Sequence, residues 1–113
     1  MMSFTQKVDV IKNALLGIED TTIPIYHYWR SAKDTRYILW QEDGEVALTT
    51  GNHKAEQGAT GTIDLFTKRE NDPAFDMIQE ALNGAENVSW YYDGTDYEDE
   101  TGLIHHNWMW TVL

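Results

Sequence analysis

Asp93, Asp96, Glu98, Asp99 and Glu100 crowd one short stretch near the C-terminus, and hard cations such as calcium take several carboxylate oxygens. The spacing argues against that chemistry. A calcium-hand loop sets oxygens at alternate positions around a central glycine and closes on Glu, whereas here Gly94 comes second and Tyr97 interrupts. The stretch from Asp93 to Gly102 reads instead as an acidic turn region. His105-His106 is the other metal candidate, but consecutive strand side chains point to opposite faces and cannot share one ion. Either would need distant donors, of which His27 and His53 are the histidine candidates. Serine is scarce: Ser3 fits a helix cap, Ser31 a turn and Ser89 a strand, and none stands in a Gly-x-Ser-x-Gly context. Gly58 and Gly61 precede a strand rather than a helix, so they form no phosphate cradle. With no cysteine, disulfides, thiolate metal sites and thiol catalysis are excluded. The expectation is a protein with no catalytic residue, no cofactor and no metal, and hence not an enzyme.

The elements around these residues follow from periodicity and punctuation. Ser3 with Gln6 is a capping box, and Phe4, Val8, Ile11 and Leu15 recur at helical spacing until Gly17, predicting a helix over 4–16. The apolar run from Ile23 to Tyr28, interrupted by Pro24, suits a short edge strand. Tyr37 to Glu42 and Glu45 to Thr50 flank Asp43-Gly44, a pair that favours a tight type I′ turn, and predict a hairpin there. Gly51 to Thr60 is polar, glycine-bounded and without apolar period; it reads as a long loop suited to assembly, carrying Gly51, Asn52, His53, Lys54, Glu56 and Gln57. Thr60 to Phe66 alternates as a half-buried strand. Asp72-Pro73 starts a helix over 73–83 with Phe75, Ile78 and Leu82 on one face, and Asn83-Gly84 stops it. Val88, Trp90 and Tyr92 alternate on a further strand, and Leu103 to Val112 ends the chain as another. The fold class expected is α+β: an antiparallel sheet of four to five strands with two helices packed on one face, in a single domain spanning 1–113.

A formal charge of −11 on a chain that is 42% hydrophobic with five Trp belongs to a folded acidic surface rather than to a disordered acidic tail. Eight Lys and Arg against nineteen Asp and Glu argue against binding nucleic acid through phosphates, and the basic residues lie interspersed with acidic ones, as where Lys33 and Arg36 bracket Asp34. No run approaches the roughly 18 apolar residues that span a bilayer, and no basic region precedes an apolar one at the N-terminus, so a cytoplasmic location and no membrane partner are expected. Trp40, Trp90, Trp108 and Trp110 all fall on predicted strands, where rings fit a pleated surface; those on a face turned from the helices would mark a protein interface, together with Tyr97, Glu98, Asp99 and Glu100.

Gly61-Thr62-Ile63-Asp64-Leu65-Phe66, the helix start Asn71-Asp72-Pro73-Ala74-Phe75, and the closing run from Tyr97 to Trp108, in the order helix, extended segment, hairpin, loop, strand, helix, hairpin, resemble the tail terminator and tail completion proteins of long-tailed bacteriophages. The resemblance spans most of the chain and rests on structural patterns, with related neck and head-closure proteins as competitors. It implies a non-enzymatic virion subunit that assembles with itself into a ring, commonly a hexamer, caps the tail tube and joins tail to head. The implied partners are the tail-tube and head-tail connector proteins, in the host bacterial cytoplasm during assembly and then in the tail or neck. Such subunits bind no cofactor and no specific nucleic acid sequence. An acidic inhibitor that mimics DNA is the alternative, and would need carboxylates spaced like phosphates along one face.

Overall fold

The computed structural model describes residues 2–31 and 33–113. Helix α1 spans Phe4–Leu16 and α2 spans Ala74–Asn83. At α1 the capping box closes in both directions, with the Ser3 side chain accepting from the Gln6 amide and the Gln6 side chain accepting from the Ser3 amide at 2.8 Å. At α2 the Asp72 carboxylate accepts from the Ala74 amide at 2.9 Å, while Pro73, at φ −60°, is already set for the first turn. Both helices end on glycines, Gly17 and Gly84.

Five strands form one sheet: β1 (Ile25–His27), β2 (Tyr37–Thr50), β3 (His53–Thr67), β4 (Val88–Glu98) and β5 (Leu103–Val112), in the order β1-β2-β3-β5-β4. The C-terminal strand is therefore interior. The sheet is mixed rather than wholly antiparallel, because β1 runs parallel to β2, with Ile25 opposite Ile38 and His27 opposite Trp40. No helix forms among the described residues of that return, and Trp29 packs on Tyr26 while Arg30 lies 5.4 Å from the Tyr37 ring, on the face that the helices leave open.

Two sequence expectations about turns are overturned. Asp43-Gly44 does not turn the chain; β2 runs straight through it, and Asp43 is absorbed as the extra residue of a bulge between Glu42 and Gly44 opposite β3. The reversal comes at Gly51-Asn52, between the paired Thr50 and His53, where Gly51 at φ 63° takes the first central position that a type II′ turn gives to glycine. The polar segment from 51 to 60 is consequently not a loop but the first half of β3. Likewise Asp93 lies within β4, whose bulge at Gly94 (φ 145°) opposes Asn107, and the turn is confined to residues 99–102.

The helices share one face. Val8, Ile11 and Leu15 of α1 and Ala74, Ile78 and Leu82 of α2 meet Ile38, Trp40, Ile63, Leu65, Trp108, Trp110 and Val112 in one apolar cluster. Gly61 is required there: a Cβ would stand 2.7 Å from Trp110 Cε2 and closer still to the Gln41 carbonyl oxygen, so the indole lies flat across the β3 backbone and donates Nε1 to the Thr62 carbonyl at 3.1 Å. A polar strut braces the other end of the layers, where β2 begins and β3 ends. Arg36, at the start of β2, forks onto Asp72 at the start of α2 with two bonds of 2.8 Å and reaches Asp20, beyond α1, at 3.2 Å. The Asp72 side chain is fully buried, and the guanidinium together with the Thr67 hydroxyl and the Ala74 amide holds its carboxyl far below the usual carboxylate range.

Candidate functional site

The residues singled out as an assembly loop form the end of a projecting β-ribbon. The last rung β3 shares with β5 is Ala59 to Val112, and β1 accompanies β2 only from Ile38 to Trp40. Beyond those points 46–50 and 53–58 pair with each other alone, and among the described residues no third strand joins either edge. At about 3.3 Å per residue the arm extends roughly 17 Å past that last rung. The molecule measures 50 × 28 × 22 Å with a radius of gyration of 15.2 Å, against about 13 Å for a compact chain of this length. Gly51, Asn52, His53 and Lys54 are exposed, and Glu56 and Gln57 half-buried, because Lys7 of α1 reaches across to the Gln57 carbonyl at 2.7 Å and to Glu56 at 3.6 Å. Lys7 itself is buried, its stem lying against the core and its ammonium anchoring the base of the arm. Along the ribbon Lys54 bonds both oxygens of Glu45, at 2.9 and 3.0 Å, and Gln57 donates to the same carboxylate. Among its described side chains Val46 stands out as an exposed large hydrophobic.

The aromatic expectation needs correction. Trp40, Trp108 and Trp110 are 3%, 0% and 2% exposed; they lie beneath the helices, because the pairing that sets Trp40 against Ile63, and Ile63 against Trp108, puts all of them on the covered face. In the folded subunit they are core, not interface. Trp90 is half-buried and donates to Asn83 at 3.0 Å. The exposed rings are tyrosines: Tyr91, Tyr92 and Tyr97 of β4 at 59%, 44% and 64%, with Tyr28 and Trp29 at the opposite edge. Beside Tyr97, Glu98 is half-buried, while Asp99 and Glu100 are exposed in the turn.

The histidines divide as strand geometry requires. His105 lies on the open face, stacked on Phe66 with centroids 4.2 Å apart, its Nε2 2.7 Å from Asp64, which also accepts from Asn107 at 2.8 Å. The bond to Asp64 raises the His105 pKa, and the nearby Glu98 and Asp96 add to the effect. His106 lies on the covered face against Phe75 and Trp108, 2.7 Å from the Thr95 hydroxyl, and burial lowers its pKa. His27 is sandwiched between Trp40 and Tyr28, at 3.9 and 3.8 Å. Tyr28 reaches that stack only because its φ of 76° turns it back onto the side of His27, a strained conformation for a bulky residue held by Glu42, which bonds both rings. Among the described residues no three His, Asp or Glu side chains group to hold a metal ion. No described helix is long and apolar enough to cross a membrane.

One electrostatic feature was missed in reading the sequence. Residues 70–113 hold ten of the nineteen acidic residues and none of the eight basic ones, whereas 1–69 pair nine acidic with eight basic. The signal was there, in the absence of Lys and Arg after Arg69; interspersed charges in the first half concealed it. Since those residues build α2, β4 and β5, nearly all the net negative charge lies toward the β4 edge of the sheet. No known family model and no curated protein sequence matches the chain.

Proposed function

We propose that the protein is a non-enzymatic, ring-forming virion subunit of the tail terminator kind, assembled through its β-ribbon arm. One observation carries the reading: among the described residues the arm leaves the body of the fold with no third strand on either backbone edge. An isolated two-stranded ribbon is marginal in water, so a projecting one is stabilised by adding its edge to a neighbouring sheet, the mode by which strands join chains. The lopsided charge supports the same reading, because a head-to-tail arrangement keeps the acidic β4 edges of neighbouring copies apart instead of setting acid against acid. Ring closure at the end of a tail tube would then seat the arm against the tube or the head connector.

Sedimentation from low to high salt, alone and with the tail-tube subunit of the same genome, tests this. Residues 48–56 replaced by Asn-Gly would close the ribbon at the Ala47–Gln57 rung and leave the body folded, with the Lys7 bond to Gln57 retained. The parent should form a closed oligomer, more readily as salt screens repulsion over about 10 Å at 0.1 M, and the shortened variant should not. A parent that stays monomeric at every concentration and salt, with the tube subunit present, would end the ring reading.

A further inference from the structure

We infer that the outer edge of β4 is a docking strand for a short extended segment of another protein in which arginines alternate with apolar residues. The inference does not rest on the arm or on ring formation. Among the described residues β4 pairs only with β5, so its other edge offers unpaired amides and carbonyls along Val88–Glu98. The bulge at Gly94 divides that edge into two short runs, Val88–Tyr92 and Thr95–Glu98, and a segment of about seven residues is long enough to meet both Tyr91 and Glu98 across it.

The side chains name the occupant. By alternation from the pairs Tyr91–Met109, Asp96–His105 and Glu98–Leu103, Tyr91, Asp96 and Glu98 face the open side; the pairs Tyr92–Trp108 and Tyr97–Ile104 put Tyr92 and Tyr97 on the helix side. An added strand must present cations to the first set and apolar groups to the second. Arginine fits the open side better than lysine, because its planar fork meets a carboxylate in two bonds and lies flat on an exposed tyrosine ring. No Lys or Arg within 70–113 neutralises these carboxylates from the same part of the fold. Pairing β4 with β4 of a second copy would set Asp96 and Glu98 against identical charges, so the edge rejects itself and selects a basic strand.

The probe is a fluorescein-labelled heptapeptide of alternating Arg and Val, measured by anisotropy against the whole chain. Saturable binding is expected, at least fivefold weaker for the Lys-Val analogue and lost when alternate backbone nitrogens on the pairing edge are methylated or when the same residues are arranged in two blocks. Tyr91→Ala and Asp96→Asn, both at exposed positions, should each weaken binding at least fivefold, whereas Glu19→Gln, an exposed carboxylate in the first half, should not. The variant with the arm closed at Ala47–Gln57 should bind as the parent does, so failure of ring assembly and failure of this site are separately visible. Equal binding of the Arg and Lys peptides with no effect of methylation would mean only nonspecific charge attraction and would overturn the inference. So would the absence of binding, or displacement of the peptide by unlabelled protein acting as a second copy.

Discussion

Arg36→Met should be among the most damaging single changes outside the apolar core. The methionine keeps much of the stem and removes the fork, so the Asp72 carboxylate, fully buried, is left with only the Thr67 hydroxyl at 2.7 Å and the Ala74 amide at 2.9 Å. Removing one member of a buried, hydrogen-bonded ion pair costs about 3–5 kcal/mol, because the other charge stays desolvated without its counterion. A domain of this size has about 5–15 kcal/mol in all, so up to about half or more is at stake. Asp72→Asn in the Arg36→Met background removes the stranded charge and should recover part of the loss. The pH dependence has a definite sign. Arg36 holds the Asp72 pKa below its ordinary value of 3.8, so the stabilisation is fully present above that value and is lost as pH falls through the lower folded-state pKa. The gap between parent and Arg36→Met should accordingly be largest near neutrality and shrink as the pH falls below about 4. Urea unfolding followed by tryptophan fluorescence, at neutral pH and at about pH 3, measures both. A neutral-pH loss under about 1 kcal/mol, or a gap that widens in acid, would refute the argument.

Gly61→Ala should cost at least the about 1–3 kcal/mol typical of overpacking, with changed near-ultraviolet dichroism from Trp110, since neither the Gln41 carbonyl nor the indole can retreat; an unchanged urea midpoint would show that the strands part more easily than the packing implies. Tyr37→Phe should be neutral or stabilising by up to about 1–3 kcal/mol, because the Tyr37 hydroxyl is buried without a hydrogen-bond partner among the described residues; a clear loss of stability would reveal a partner for it. The raised His105 pKa contributes stability that is present below its unfolded value and disappears as pH rises through the folded one. Asp64→Asn should flatten that slope above the ordinary histidine value of 6.5, as read by titrating the His105 ring signals and the urea midpoint, and an unaltered slope would remove Asp64 as the cause.

Both helices were legible because their signals are local: a capping box at Ser3–Gln6, an Asp-Pro start at 72–73 and an apolar stripe on each. The opposite orientations of His105 and His106 were legible for the same reason, since they need only the period of a strand. The hairpin was misplaced because Asp43-Gly44 and Gly51-Asn52 are both competent turns, and the choice between them is made far away. Turning at Asp43-Gly44 would set Trp40 against Ala47, whereas turning at Gly51 sets Trp40 against Ile63 and lets β3 continue to Gly61, where the Trp110 indole needs a residue without a Cβ. The register that buries the rings beats local turn propensity, and it leaves a polar ribbon beyond the core as its by-product. The same register moved Trp40, Trp108 and Trp110 out of any interface. What remains outside is a free ribbon at one end of the sheet and an acidic tyrosine edge at the other. Packing of the core requires neither, so a surface so unlike at its two edges is best explained by contacts with other chains.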